Sequence, residues 1–485
     1  MSQRIIDRSS IEPLDTVSQI WQHLGLPQNA LSVLELTGRG LGYVSSYKVD
    51  HLAQASIALS ALSAAIVDSL RRPESSLPRK VTVPLEHACI ELKSERLYTI
   101  AGYDGGPLQA PIGGLHRTSD GNVRIHDSFS NHRNGTLKLL GLENSATREQ
   151  VAERVVKWAK LDLEQSAYEN KLAIYALRSY GEWDSLPQAQ ALPDLPISVI
   201  RIAGEGPKGL PAHMLRRDDR CLRGLRVLEL SRVLAAPVAG RTLAAHGADV
   251  LWVTSPTLPD LPELDKDTAR GKRTIQLDLR NGKDRNELVK LIKDCDVFLQ
   301  SYRPESLLSR GLGPEALVAI NPSIIYASLT AFGTSGPWAD RRGFDSLVQT
   351  CSGMNVSEAE HFGQGEHARP LPAQALDHAS GYFLATGIAC AVYKRAKEGG
   401  SWRVDVSLAG TMHYLRSLGQ IMPITQTGAH GILLDDSDVP HIYFEEQQSG
   451  FGKMRALRHS ATVEGAKPGW DYMPRPLGSD EPRWM

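Results

Sequence analysis

Residues 225–254 read LRVLELSRVLAAPVAGRTLAAHGADVLWVT. Leu225 to Ser231 is a short apolar run of strand length, Ala239 to Gly247 has helical character and closes on a glycine, and Ala248 to Thr254 is a second apolar run. A helix between two such runs implies a crossover connection and parallel pairing. The grammar continues downstream, with strands in RTIQLDL (273–279), CDVFLQS (295–301) and SIIYASLTAF (323–332), an amphipathic helix in NELVKLIKD (286–294), and shorter helical pieces in SLLSRG and EALVAIN. The expected class is α/β: a Rossmann-like large domain whose parallel sheet is covered by helices, plus a smaller α+β domain. Ligands of such sheets sit outside the carboxyl ends of the strands.

Working outward, residues 222–421 form the expected large domain and 203–221, rich in Gly, Pro and charge, the linker before it. Upstream, VDHLAQASIALSALSAAIVDSLRR (Val49 to Arg72) is apolar almost all round and predicts a buried helix, followed by a strand and second helix in RKVTVPLEHACIEL. LDHASGYFLATGIACAVYKRAKEGG followed by WRVDVSLAGTMHYL repeats this order, with Asp50-His51 and Asp377-His378 opening the two helices. Two copies at so long a period indicate duplication or fusion of related halves, not a solenoid. Residues 1–95 therefore read as a duplicated Asp-helix segment and 96–202 as the small α+β unit, with a turn at Ser119–Asn122 between two strands and two amphipathic stretches after it. Residues 422–485 read as a loop-rich tail packed over something else.

The 485 residues are enough for two or three domains, and 54 Lys plus Arg against 55 Asp plus Glu give a net charge of -1. That balance supplies no general attraction to nucleic acid or an anionic membrane, so partners must be recognised locally. Five scattered cysteines without a CxxC pair indicate neither a disulfide framework nor a zinc knuckle. No metal is expected, since the histidines lack HExxH or paired-ligand spacing. The N-terminus resembles neither a signal nor a transit peptide, and no unbroken apolar stretch reaches bilayer length. A cytoplasmic location is the expectation.

Asp377 opens a long apolar helix amid Ala379, Ser380 and Gly381. It either caps the helix, or helix amides hold it ionised as a nucleophile requires. Arg232 to Pro237 leaves the first strand for the first helix, where amides commonly meet phosphate. Only Gly240 is present there, so this is no dinucleotide fingerprint. GRGLG (38–42) and GYDGGP (102–107) read as flexible loops, and GxSxG is absent.

The strings RVLELSRVLAAPVAGRTLAAHGADVLWV, GKRTIQLDLR, DVFLQSYRPESLLSRGLG, NPSIIYASLTAFGTSGPWADRRGFDSLVQTCSGM and ALDHASGYFLATGIACAVYKR, in this order, resemble the family III CoA-transferases, the CaiB/BaiF family that includes formyl-CoA transferases and methylacyl-CoA racemases. The resemblance implies an interlocked homodimer and transfer of coenzyme A from an acyl-CoA donor to an organic acid acceptor. It implies Asp377 as the carboxylate that forms acyl anhydride and CoA thioester intermediates. Arg232, Val233, Leu234 and Ala235 match the CoA-contacting loop, Ser301, Tyr302 and Arg303 the segment beside the nucleotide, and Leu277 and Asp278 the segment near adenosine. Asp345 lies on the approach to the active site, and amides of Gly105 and Gly106 are the expected oxyanion donors.

Two departures matter. Racemases carry histidine where this chain has Phe344, so proton exchange at an α-carbon lacks one partner and transfer is favoured. The small-domain and return segments precede Leu225 instead of following it, so a C-terminal half with its own Asp50 helix stands ahead of an N-terminal half. Asp50 lacks the CoA loop upstream and reads as a relic or cap. A 2-methylacyl-CoA racemase or epimerase and a non-catalytic CoA-binding homologue are the rival readings.

Overall fold

The structure, a computed structural model, describes residues 5–40, 42–72, 75, 77–102, 110–204, 206–215, 219–421 and 436–485. The N-terminal segment contributes β1 (Leu34–Thr37), α1 (Val49–Ser69), β2 (Val81–Pro84), α2 (Leu85–Glu91) and β3 (Thr99–Ile100). The next unit holds β4 (Gly114–Arg117), β5 (Asn122–Ile125), α3 (Ser130–Leu139), α4 (Lys160–Glu169) and β6 (Ile174–Ala176), and is followed by β7 (Ile197–Ala203). Then come β8 (Arg226–Leu230), α5 (Ala235–Ala245), β9 (Asp249–Thr254), β10 (Lys272–Gln276), β11 (Val297–Gln300), β12 (Ile325–Thr330), α6 (Asp345–Cys351), α7 (Ala375–Glu398), β13 (Ser401–Ser407) and α8 (Leu408–Ser417). The chain closes with β14 (Phe444–Ser449), β15 (Gly452–Leu457) and β16 (Thr462–Val463).

The large sheet has the order β10-β9-β8-β11-β12-β13-β7. Every pair in it is parallel except β13 with β7, which runs antiparallel at the edge. Its central strands are buried along their length, as apolar strands covered on both faces must be. The expected α/β class with parallel pairing is what the strand order gives. Helix α5 begins at Ala235, earlier than its apolar pattern implied. Pro237 falls in its first turn, where a missing N–H costs no hydrogen bond.

Residues 212–214, within the segment that reads as a linker, lie against the large unit. Met214 is buried, and His213 Nε2 sits 2.9 Å from Asp296 Oδ2. The three-stranded sheet β4-β5-β6 has its own apolar core around Val123, Ile125, Leu163 and Ile174. Helix α1 is the one helix among the described residues long and apolar enough to cross a bilayer, although the sequence showed no unbroken apolar run. It packs along α7 inside the main core, with 94% of its most apolar window buried. All five cysteines are free and buried.

The sequence repeat has a topological counterpart. Strand β1 pairs parallel with β2, α1 lies between them in the chain, and β16 flanks β2 antiparallel. Strand β12 likewise pairs parallel with β13, α7 precedes β13, and β7 flanks β13 antiparallel. Asp50 and Asp377 thus open equivalent helices. Within GRGLG, which reads as a flexible loop, Gly42 is wedged: a Cβ there would lie 2.2 Å from Cys89 Sγ and 3.2 Å from Asp50 Cβ.

Candidate active site

The loop after β8 is fixed from below and strained above. Glu229, fully buried on β8, takes Lys272 Nζ at 2.7 Å and Ser231 Oγ at 2.5 Å, and Lys272 Nζ also donates to Pro237 O at 2.8 Å. A buried pair of this kind positions the backbone at both ends of the loop more than it stabilises the fold. Between those anchors Val233 adopts φ 73°, a left-handed conformation that a β-branched residue resists by about 1–3 kcal/mol. No side chain caps the first turn of α5.

Gly381 on α7 explains how close this loop comes to Asp377. A Cβ at Gly381 would lie 2.5 Å from Ala235 O and 2.8 Å from Val238 Cβ. Only glycine lets α7 pack directly on the first turn of α5.

Asp377 is the third residue of α7 and is 7% exposed. Its side chain does not cap the helix, and the helix amides do not hold it ionised as the sequence reading supposed. Those amides are taken by Asp345 at the head of α6: its Oδ2 accepts Leu376 N–H at 2.9 Å and Asp377 N–H at 3.0 Å, and Gln349 donates to its Oδ1. Asp377 is left with burial and two neighbouring carboxyls, Asp345 and Glu95, and its carboxyl is held well above the usual range. Asp345 is raised too, chiefly by burial, against the lowering effect of the hydrogen bonds it accepts. Two close buried carboxyls of this kind titrate as a pair. The next residue, His378, is fully buried and meets Glu95 Oε2 at 3.0 Å, which ties the N-terminal segment to the first turn of α7.

Phe344, the position where racemases carry histidine, is enclosed by the small unit. It stacks on His126 with ring centroids 3.7 Å apart and planes 6° from parallel, and it meets Phe129 and His132 at 6.1 and 5.9 Å. Arg232 lies over the Phe129 ring at 4.5 Å and donates to Pro259 O. Burial is the first cause that pushes His126 down to about 3 and His132 down to about 4, and nearby arginines add to both shifts. Both imidazoles are therefore neutral and weakly basic at physiological pH.

Asp377, Phe344, Phe129, His132 and Arg232 line one cavity of about 550 Å3 at the carboxyl ends of β8 to β12. The structure brings together in its lining Asp377, the four residues Arg232 to Ala235, Leu277 with Asp278, and the three residues Ser301 to Arg303, whereas Asp345 stands behind the wall, bonded to the Asp377 amide. Asp50 is not part of that lining; the N–H groups of Gly42, Asp50 and His51 approach its carboxyl. Gly105 and Gly106 lie outside the described residues. Sequence reasoning missed Phe129, His132, Arg280, Arg310, Arg341 and Arg342, which also line the cavity. The adjacent pair Arg341-Arg342, just upstream of Phe344, was the available signal. The cavity thus gathers six arginines against Asp278 and Asp377, with Arg280 paired to Asp278 at 2.8 Å. A chain of net charge -1 nonetheless focuses positive potential there.

Comparison with known proteins points to the same segment. Residues 222–431 match the model of CoA-transferase family III. The chain is 30% identical over 320 residues to an acyl-CoA transferase of Gibberella moniliformis, covering 62% of this chain and 56% of that one. It is 34% identical over 205 residues to the succinate–glutarate CoA-transferase of Agrobacterium fabrum, covering 39% and 50%. With the succinyl-CoA:glutarate CoA-transferase of Mus musculus it shares 30% identity over 225 residues, covering 44% and 49%. The chain spans about half the length of the curated relatives it matches. Among solved structures, a CaiB/BaiF family protein from Brucella suis aligns at 27% identity and a TM-score of 0.38 over 49% of this chain and 65% of that one.

Proposed function

We propose, from the premise that residues 222–431 form a CoA-transferase family III segment, that this chain moves coenzyme A from an acyl-CoA thioester to a carboxylic acid. The observation that carries the reading is the buried Asp377 carboxyl in the wall of the arginine-rich cavity that also holds the 232–235 loop. The cavity suits an elongated anionic thioester: arginines for phosphates, Leu277 and Leu279 for apolar contact, and a recessed carboxyl in the same lining.

In this reading an Asp377 oxygen attacks the donor's thioester carbon and the C–S bond breaks, giving an aspartyl anhydride and CoA thiolate. The thiolate then attacks the aspartyl carbon, which releases the donor acid and leaves an aspartyl-CoA thioester. The acceptor carboxylate attacks that thioester and releases thiolate, which takes the acceptor's acyl group and frees Asp377. Each step exchanges one acyl bond for another with no net oxidation. Asp377 must be ionised to begin, so the acid pair with Asp345 sets the pH at which the cycle starts.

Racemisation is disfavoured by the wall itself. Phe344 cannot take a proton, and the imidazoles packed on it are weak bases. The acyl-CoA donor, the acid acceptor and a second copy of the chain are the partners of this reading. Asp377→Asn is the test: transfer should fall by about 1,000-fold or more while CoA still binds. Retained transfer would exclude Asp377 as the nucleophile.

A further inference from the structure

The short turn Ser94–Arg96, part of the N-terminal segment and its boundary with the small unit, reaches three helices of the large unit at once. Ser94 Oγ donates to Asp267 Oδ2 at 2.8 Å on the Pro262–Thr268 helix. The same hydroxyl accepts Arg241 Nη1 at 2.8 Å from α5, the helix that starts in the 232–235 loop. Asp267 is fully buried and also holds Arg270 at 2.5 Å, so the turn is clamped to a fixed base. From that base Glu95 Oε2 lies 3.0 Å from Nε2 of His378, in the first turn of α7 beside Asp377.

The chain holds a second helix start of the same design, and it lacks this contact. Asp50-His51 and Asp377-His378 open the equivalent helices α1 and α7. His51 Nε2 meets a hydroxyl, Thr16 Oγ1, at 2.7 Å, and burial is the first cause that pushes its imidazole down to about 4. The carboxyl of Asp50 is approached by backbone N–H groups and by the charge of Lys48. At α7 the corresponding histidine meets a carboxyl in place of a hydroxyl, and Asp377 faces carboxyls in place of amides. The exchange is found at the helix whose aspartate lines the cavity.

The charged groups that face Asp377 are Asp345 from α6 and Glu95 from the turn. Glu95 in turn faces His378 from α7, Arg96 at 3.3 Å on its own turn and Tyr43 from the loop before α1. His378 also faces Asp267 and Asp345, and acts to lower both. Arg96 is exposed, so solvent weakens its hold on Glu95, whereas His378 is fully buried. A buried negative charge behind a carboxyl makes that carboxyl keep its proton to higher pH.

We propose that Glu95 is a positioning residue for Asp377, through which the N-terminal segment holds the first turn of α7 and sets the charge behind the carboxyl that faces the thioester. The inference rests on the transferase reading for the role of Asp377, but its test does not need turnover.

The protonated-carboxyl band of the Asp377–Asp345 pair, recognised by its loss in Asp377→Asn, is followed across pH by infrared difference spectroscopy on the full-length protein. Glu95→Gln keeps the length of the side chain and an oxygen for His378 while removing the charge. Its midpoint is expected about 1 unit lower than that of the wild type, with CoA affinity unchanged. Glu95→Asp restores the charge at shorter reach, and its midpoint is expected closer to the wild type than to Glu95→Gln. His378→Gln leaves Glu95 charged and is expected to keep the midpoint at or above the wild-type value. A Glu95 that served only as a structural tie would give the opposite order, with Gln silent and Asp the more damaging. A wild-type midpoint in Glu95→Gln, or a lowered one in His378→Gln, would overturn the proposal. Hydroxylamine capture at Asp377 reports separately on the transferase reading: capture with an unmoved midpoint refutes only the role of Glu95, and a moved midpoint without capture refutes only the transferase chemistry.

Discussion

Asp345 Oδ2 accepts the backbone N–H of Asp377 at 3.0 Å, so the residue proposed as nucleophile is held through its amide by a second buried carboxyl. Two free amides of helix α7, those of Leu376 and Asp377, are spent on Asp345, and Asp377 keeps the like-charge penalty. This arrangement makes the proton affinity of Asp377 a property of the pair.

Replacing Asp345 by Asn removes one of the two charges that raise Asp377 while keeping an oxygen for the Leu376 and Asp377 amides. Since Asp377 must be ionised, activity rises with pH along its acidic limb, and a lowered carboxyl moves that limb to lower pH. The shift expected in the pH profile of kcat/KM is about 1 unit. An unmoved limb would separate Asp345 from the nucleophile's titration.

The stack of Phe344 on His126 leaves no strong base at the racemase position. In deuterium oxide without an acceptor acid, the wild-type protein is expected to leave the α-carbon of a 2-methylacyl-CoA unlabelled. Phe344→His, which supplies an imidazole beside Asp377, is expected to raise label incorporation by about tenfold or more. Rapid wash-in by the wild type would favour the racemase reading.

Gly381→Ala places a methyl group against the Ala235 carbonyl, a backbone atom that cannot rotate aside. The expected cost is about 1–3 kcal/mol in a denaturant titration. It should come with weakened CoA binding, because α5 and the strained Val233 loop must shift. Unchanged stability would show that this contact does not hold the two helices in register.

Asp265, buried on the helix at Pro262–Thr268, is pushed up to about 7 by burial and then by Asp260. The folded chain keeps a proton that the unfolded chain, near the ordinary value of 3.8, gives up. Below that value both states are protonated and nothing is lost; as pH rises toward about 7, stability falls by up to about 1.4 kcal/mol per pH unit. Asp265→Asn is expected to flatten that part of a stability profile between pH 5 and 7. The same slope in both proteins would contradict the assignment.

The parallel sheet was legible because β8, β9, β11 and β12 are apolar runs separated by helical periodicity. Asp377 and the 232–235 loop were legible as helix-start and strand-end positions, where α/β sheets put ligands, while residues 301–303 were reached only through the family resemblance. Three features were not. The capture of the α7 amides by Asp345 joins residues in different helices and leaves no local pattern. The aromatic wall joins Phe344 to His126 and Phe129, more than two hundred positions upstream by their residue numbers. The positive φ of Val233 runs against its β-branched preference, so propensity points away from it.

The account turns on a covalent bond to one side chain. The protein is incubated with an acyl-CoA and hydroxylamine, digested, and the peptides containing Asp377 and Asp50 are compared by mass spectrometry. The account predicts a hydroxamate on Asp377 that requires acyl-CoA, with Asp50 unmodified. Turnover with an acid acceptor that leaves Asp377 unmodified, or modification of Asp50 in its place, would contradict it.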